Sequence, residues 1–298
     1  MAETRAQAYK QKLDALVDQA GELSPEARRI ILRLLEQVNR EIVADIAQAG
    51  TGSYNSIRLQ ALKTQVDRAM EQFSRQASSE IATLQANAYE STALSVDSTV
   101  AAGTGSIVVH PVIDRASLQV VQGYTADLIT GLSRDASAKI NAAIQRAYLG
   151  GTDIAGLTKQ LGSALTGGKF SGLFTDVGDR AMSIATNEVM RVQSLASVAR
   201  IKDLATRNRE LKKRWLHIPV ARVPRISHLL ANKQVRKPDE PFEVGGEALM
   251  YPRDPSGSAE NTINCHCLVQ PYLDADQLKP SDSERALLKS YGLSVTTN

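Results

Sequence analysis

The chain has 298 residues and a net charge of only +3; 43% of its residues are hydrophobic and 4% are aromatic. This composition is typical of globular proteins whose helices pack through small side chains, and the length allows two domains. No run approaches the ~20 apolar residues of a membrane span. Two cysteines are too few for a disulfide framework, and the charged N-terminus lacks a signal peptide's apolar stretch, so we expect a protein made in a cytoplasm.

Residues 1–100 carry the pattern of two long amphipathic helices. In the first, Ser24 is placed as an N-cap with Pro25 at the first helical position, and the helix should end near Gly50. The second should begin at Tyr54 or Ser56, and a short loop between two long helices predicts an antiparallel hairpin. Each helix carries one apolar stripe of the kind that forms a core or an interface with a partner helix; the first consists of Ile30, Ile31, Leu34, Leu35, Val38, Ile42 and Ile46.

The remaining chain divides where the sequence pattern changes. Residues 100–112, VAAGTGSIVVHPV, break the helical pattern, so we place a linker at 101–114 before a second helical region at 115–214, interrupted near Gly131. From Trp215 onward prolines recur and the apolar pieces shorten, which predicts a compact α+β module at 215–273 and a polar tail at 274–298. The predicted fold class is mainly α with a small C-terminal α+β module: a long N-terminal helical hairpin, then a helical domain, then the turn-rich module.

Both cysteines lie in the stretch NTINCHCLVQPYL, with His266 between them. In an extended chain alternate side chains share a face, so Cys265 and Cys267 should point one way and His266 the other. One interpretation is structural: Asn264 closes a turn, and the thiols act as compact apolar residues of a small core. The other interpretation is a metal site, with Cys265, Cys267 and His228 as zinc ligands.

A fourth zinc ligand would have to be His217 or His266. Structural zinc sites usually draw their ligands from two closely spaced pairs, and the second pair is missing here. A redox role is weaker still, because C-x-C is not the C-x-x-C arrangement that lowers a thiol pKa. We therefore favour the structural turn and expect no cofactor, with zinc as the alternative.

The window 200–240 holds twelve Lys or Arg residues against four Asp or Glu, so the small net charge hides a basic segment. Such a segment faces nucleic acid, an acidic partner or only solvent. The candidates for contact with DNA or a partner protein are Lys212, Lys213, Arg214, Lys233, Arg236 and Lys237.

Glu188 lies within a predicted helix in an apolar neighbourhood. A buried carboxylate needs a cationic partner, and Arg180, Arg191 or a basic residue of the C-terminal module could supply it. The chain has no H-E-x-x-H, no G-x-S-x-G and no recognisable pair of catalytic carboxylates. We therefore expect a protein without enzymatic activity; the alternative is a hydrolase or transferase that uses His228, Cys265 and Glu188.

Two segments together resemble the Mu F-like head-morphogenesis proteins of phages, also called minor head or minor capsid proteins. That family has a helix with the pattern R-A-x-x-I-A-R-T-E and then a Trp-led module ending in N-C-R-C. Here the helix reads RAMSIATNEV, and the ending reads NCHC. The resemblance covers about residues 115–273, and its structural motif comprises Arg180, Glu188, Trp215, Arg225, His228, Asn264, Cys265 and Cys267.

The resemblance implies a structural virion component in the capsid interior or at the portal, assembled in the host cytoplasm. Such a protein would aid head assembly and DNA packaging or delivery. Its partners would be the portal protein, the major capsid protein or both, bound through the N-terminal helical region, with packaged double-stranded DNA as a further candidate and no membrane. The alternative is an internal head protein that binds DNA and is ejected with it.

Overall fold

The computed structural model describes residues 4–48, 56–106, 114–150, 154–165, 169–219 and 224–279. The prediction of a mainly α protein with a small C-terminal α+β part is confirmed. The long helices are α1 (Arg5–Gln48), α2 (Ser56–Thr104), α3 (Arg115–Gly150) and α5 (Leu173–Ala205), with the shorter α4 (Ile154–Leu161) between the last two. Among these helices none has the apolar length that crossing a bilayer requires.

The first helix begins earlier than predicted. Thr4 and Gln7 form a capping box: the N–H of Gln7 donates to Thr4 Oγ1 at 3.2 Å, and the N–H of Thr4 donates to Gln7 Oε1 at 2.9 Å. α1 then runs through Pro25, so the prediction of Ser24 as its N-cap was wrong. A proline inside a helix removes one backbone hydrogen bond. Here the buried apolar face continues on both sides of it and outweighs that loss.

Two predicted interruptions are helical. α2 continues to Thr104, into the predicted linker, because Gly103 serves close packing rather than ending the helix: a Cβ there would lie 2.5 Å from Cδ1 of Leu273. α3 passes through Gly131 without a break, since the buried positions Ile129, Leu132 and Ala136 continue one face. Most of the predicted polar tail, from residue 280 onward, lies outside the described residues.

The chain forms two compact units that are not sequential. Unit 1 combines Met1–Glu22, Asn87–Ile113 and Met190–Asn298, and unit 2 combines Leu23–Ala86 and Asp114–Val189. This division differs from the predicted domains at 1–100, 115–214 and 215–273. The reason is that α1, α2 and α5 each run through both units, so a cut in sequence does not separate the cores.

Unit 2 is a helical assembly in which the predicted apolar stripes are used. Ile31, Leu35, Ile42 and most other positions of the first stripe are buried, and the stripe of α2 is buried from Leu62 to Ile81. Polar side chains between helices also find partners. Ser133 Oγ donates to the carbonyl of Met70 at 2.5 Å. The stripes thus form an intramolecular core and do not remain available as partner surfaces.

The glycine-rich connection in unit 2 is a small hairpin of β1 (Ala164–Leu165) and β2 (Lys169–Phe170). Gly162 and Gly172 flank it with φ of +87° and +58°. A Cβ at Gly162 would lie 1.8 Å from the carbonyl oxygen of Ser171, so no other residue fits there.

Unit 1 contains the C-terminal module. Its strands are β3 (Lys212–Leu216), β4 (Val235–Arg236), β5 (Phe242–Val244), β6 (Glu247–Leu249) and β7 (Leu268–Tyr272), with short helices α6 (Ile226–Ala231) and α7 (Ala259–Thr262). β3 lies between β4 and β7 in an antiparallel sheet, and β5 pairs with β6. The start of α1 is tied to this module, because Tyr9 Oη donates to the carbonyl of Pro271 at 2.8 Å and accepts from the N–H of Leu273 at 3.2 Å.

A buried ion pair joins two helices within unit 1. Arg200 of α5 donates from Nε to Asp97 of α2 at 2.5 Å, and both side chains are less than a tenth exposed. The same guanidinium also bonds Asp203, whose side chain is 65% exposed. A buried charge that loses its partner is strongly unfavourable, whereas an exposed pair contributes little.

We expect the Asp97→Ala variant to lose about 3 kcal/mol of unfolding free energy, because it leaves the guanidinium of Arg200 buried with reduced compensation. The Asp203→Ala control should lose less than about 1 kcal/mol, since that carboxylate is largely in water. Urea unfolding followed by circular dichroism measures both. Equal losses in the two variants would show that the buried pair contributes no more to the unfolding free energy than the exposed one.

Candidate metal centre

The core of the module is built on β3, where Lys213 and Trp215 face inward and are fully buried. The Trp215 ring meets Phe242 edge-on with 5.3 Å between centroids, and it meets His228 in the same way at 6.0 Å. Edge-to-face contacts of this kind fix ring orientation as well as excluding water. The buried cluster around them consists of Val198, Trp215, Ala231, Phe242, Val244, Leu249, Cys265, Cys267 and Val269.

His228 is directed inward by α6. Two residues of this short helix are buried, His228 and Ala231. The helix is fastened to the turn that follows α7, because Arg225 Nη2 donates to the carbonyl of Ile263 at 2.7 Å and Ser227 Oγ bonds Asn261 Oδ1 at 3.2 Å. These two bonds fix the position of the helix that carries His228.

A left-handed turn brings the two cysteines into the same core. Asn264 has φ of +53°, a conformation that asparagine tolerates better than most residues, and the expected turn is present there. Cys265 and Cys267 are buried, while His266 between them is half-buried. The N–H of Cys267 donates back to Cys265 Sγ at 3.4 Å, which closes the turn on the sulfur.

The three residues predicted as zinc ligands come together. His228 Nδ1 lies 3.6 Å from Cys265 Sγ and 3.4 Å from Cys267 Sγ. The ligand atoms of these three residues all lie within 4.8 Å of one another, and all three residues are buried. Two thiols and an imidazole are donors suited to a borderline-soft ion such as Zn²⁺.

His217 joins the cluster from the strand side. Its Nδ1 lies 3.6 Å from Cys267 Sγ. The antiparallel register explains this contact: Leu216 pairs with Leu268 at the end of the β3–β7 ladder, so His217 and Cys267 are the next opposed positions. The N–H of His217 also donates to Asn232 Oδ1 at 3.0 Å, which continues the ordered backbone beyond the strand.

Arg253 supports the cysteine turn and had no signal in the sequence. It is 1% exposed and has φ of +68°. Its Nη1 donates to the carbonyl of Cys267 at 3.0 Å, and its Nη2 donates to the carbonyl of Cys265. A single buried guanidinium thus fixes both cysteine backbones, in a part of the chain where composition indicates only turns.

The two thiols have opposed electrostatics. A hydrogen bond between the two thiol groups, together with the charges of Arg253 and His228, lowers the pKa of Cys265 well below its ordinary value despite burial. The same bond between the thiols and burial raise the pKa of Cys267. His266, outside the cluster, has its pKa lowered mainly by burial.

The basic residues of β3 are bound within the module. Lys212 Nζ lies 2.8 Å from Asp274 Oδ2. Arg214 donates from Nη2 to Gln270 Oε1 at 2.7 Å. Lys213 is fully buried and donates to the carbonyl of Met250 at 2.9 Å, so the prediction that it contacts DNA or a partner was wrong. Because Lys213 lies on the inward face of β3, its side chain is buried in spite of its charge.

The other predicted contact residues differ in accessibility. Lys233 is exposed; Arg236 is half-buried and donates to the carbonyl of Val235; Lys237 lies 3.5 Å from Glu240. Contact with DNA through these three residues stays a prediction. The basic window as a whole presents fewer accessible charges than its composition indicated, because Arg200 is also buried in an ion pair.

The two predicted motif residues of α5 lie in unit 2. Arg180 pairs with Asp135 at 3.3 Å, with both side chains largely exposed. Glu188 is 2% exposed, and its Oε1 accepts from Asn187 Nδ2 at 3.3 Å. The group of metal-ligand atoms around His228 contains no carboxylate among the described residues, so it lacks the acid that the enzymatic alternative requires.

Comparison with known proteins adds one similarity. A segment of 110 residues is 33% identical to the uncharacterized protein YqbB of Bacillus subtilis (strain 168). It covers 36% of this chain and 35% of YqbB, so the match spans about a third of each protein. No protein-family model matches the chain, and no solved structure matches it.

Burial of Lys213 predicts a pH dependence of stability. Burial lowers its pKa to about 8, against the opposing charges of Asp239, Asp254 and Glu240. Between that value and the ordinary 10.5 the unfolded form of this lysine binds more protons than the folded form, so the contribution of Lys213 to stability should rise with pH across this window. The Lys213→Met variant should lack that rise, which amounts to roughly 3 kcal/mol.

Chemical unfolding at several pH values between about 7.5 and 10.5 measures the difference. The exposed Lys233 provides the matched control, and Lys233→Met should follow the pH profile of the wild type. Parallel profiles for wild type and Lys213→Met would contradict the assignment.

Proposed function

We propose that this chain is a structural protein of a phage head, a minor head protein that associates with the portal or the capsid interior and aids head assembly and DNA packaging or delivery. One observation carries the proposal. Four of the six residues on which the resemblance to the Mu F-like proteins rests in the C-terminal module, Trp215, His228, Cys265 and Cys267, meet in a single buried core. Residues that form such a core act as scaffold, which suits a structural component.

The chemistry of the cluster supports a structural role over a catalytic one. Its thiols and the imidazole of His228 are buried, so a substrate has no direct access to them. A nucleophilic cysteine enzyme needs its thiolate at an accessible position beside an oriented base. The two half-buried histidines of the module, His217 and His266, both lie outside the group of three residues whose ligand atoms converge.

An exposed apolar face on the module supports binding to another protein. α6 and the turn after α7 are joined through Arg225 and Ser227, and they present four exposed apolar side chains: Ile226, Leu229, Leu230 and Ile263. We call these four residues the α6 face. Large apolar side chains at 74% and 76% exposure, as at Ile226 and Leu230, are typical of interaction surfaces. The α6 face replaces the N-terminal stripes as the candidate contact, since those stripes are buried in unit 2.

The test is assembly in the presence of head proteins. The chain is coexpressed with candidate portal and major capsid proteins from its source genome, and heads are separated by sedimentation. We expect it to sediment with the heads in a few copies, and the Ile226→Ser/Leu230→Ser variant to be depleted at least about tenfold, because two apolar anchors are lost. Mass spectrometry of the head fraction gives the copy number.

Val120→Ser/Leu149→Ser is the matched control, because both positions are exposed apolar residues of α3 in unit 2. It should sediment like the wild type. If the wild-type chain stays out of assembled heads, the function is wrong. If it enters heads but the α6 variant does so equally well, the function stands and only the contact surface is wrong.

A further inference from the structure

His228, Cys265 and Cys267 are spaced like three ligands of a tetrahedral metal site, and His217 Nδ1 lies 3.6 Å from Cys267 Sγ as a candidate fourth ligand. A zinc ion with Zn–S distances of about 2.3 Å and Zn–N distances of about 2.1 Å separates a sulfur ligand from a nitrogen ligand by about 3.6 Å. Three of the four nitrogen–sulfur separations in the cluster are 3.4, 3.6 and 3.6 Å, which match this value. The group of ligand atoms that lie within 4.8 Å of one another comprises His228, Cys265 and Cys267, so His217 has to move closer to Cys265 or His228 when an ion binds.

We propose that these four residues bind one structural Zn²⁺ through two thiolates and two imidazole Nδ1 atoms. This proposal is independent of the function proposed above. His228, Cys265 and Cys267 form the tight part of the site, and His217 supplies the fourth ligand from the end of β3. With four protein ligands the site is closed, so it stabilises the fold and leaves no position for a substrate.

The surroundings suit a charged metal centre inside an apolar core. Two thiolates balance the two positive charges of the ion, so the loaded centre adds no net charge to the buried cluster. The N–H of Cys267 is directed at Cys265 Sγ, a donor that stabilises the thiolate form. Arg253 holds the carbonyls of both cysteines and thereby fixes the direction of both Cα–Cβ bonds.

The four proposed ligands also come from three separate segments of the module. His217 follows β3, His228 belongs to α6, and the cysteines precede β7. The sheet of β4, β3 and β7 and the hairpin of β5 and β6 are both short. An ion that binds three separate segments of such a module couples metal binding to folding.

The first measurement is the metal content of the full-length chain, by native mass spectrometry and elemental analysis. We expect one zinc per chain in the wild type. Cobalt exchanged into the same protein should give the intense visible bands of tetrahedral coordination and a thiolate-to-metal charge-transfer band. A folded wild-type chain that is free of metal and does not take up zinc or cobalt, or one that holds a Cys265–Cys267 disulfide instead, would overturn the proposal.

Variants then assign the ligands. Cys265→Ser/Cys267→Ser should abolish zinc binding, and His217→Gln should weaken it by more than the roughly 100-fold typical of changes outside the ligand shell. His266→Gln is the matched control, because it lies between the cysteines but outside the cluster, and it should keep the affinity of the wild type. Zinc retained by His217→Gln at full affinity would rule out the four-ligand centre.

If the double cysteine variant does not fold, the wild type still decides the matter. Removal of the metal by a strong chelator should lower the melting temperature of the full chain, and stoichiometric zinc should restore it. A melting temperature that is unaffected by a complete and verified cycle of removal and return would contradict a structural metal.

Discussion

The C-terminal module depends on how two thiols and two imidazoles are accommodated at one place, where three of the four side chains are buried and His217 is half-buried. Two sulfurs and the Nδ1 atoms of His217 and His228 meet at the end of the β3–β7 ladder, beside the fully buried ring of Trp215. Polar atoms in such a place are unfavourable unless each has a partner. The features around them serve that requirement: the register that opposes His217 to Cys267, the left-handed turn at Asn264, and the two carbonyls held by Arg253.

Helix α5 connects this core to the other core of unit 1. α5 contributes Val198 to the cluster around Trp215, and a turn later Ile201 and Leu204 enter a second core with Tyr9 of α1. The buried pair of Arg200 and Asp97 lies on the same helix between these contacts. One continuous helix therefore links the ligand-bearing module to the N-terminal segment. This explains why residues almost 300 positions apart belong to one compact unit.

The helical part was predictable because its signal is local and repeated. The stripes of α1 and α2 recur over many turns, so single contrary residues such as Pro25 and Gly131 do not break them. The predicted helix boundaries were wrong where one residue type is compatible with two different local structures. Gly103 indicates a helix end in sequence, but in the fold it allows the close approach of Leu273. The capping box of Thr4 and Gln7 was a local signal that the pattern at Ser24 obscured.

The candidate site was predictable only in part, because its assembly depends on pairing between distant strands. The alternation of side-chain direction from Cys265 to Cys267 is a local property, and the structure agrees with the prediction that the two cysteines share a face. His228 lies beside them, as predicted. The position of His217 follows from the β3–β7 register, which no single segment encodes. Burial of Lys213 and Arg253 was hidden for the same reason: charge is visible in composition, whereas the partners that make burial tolerable come from elsewhere in the chain.

The geometry of the cluster also bears on what kind of protein this is. A catalytic zinc or a catalytic thiol needs an open position, either a coordination site for water or an exposed sulfur beside a base. In the described residues the sulfurs face two imidazoles and an aromatic wall, and the nearby cation, Arg253, is occupied with backbone carbonyls. The Nδ1 atoms of both histidines and the guanidinium of Arg253 are turned toward other parts of the same module. Such an arrangement fixes the position of α6, which carries the exposed apolar residues Ile226, Leu229 and Leu230.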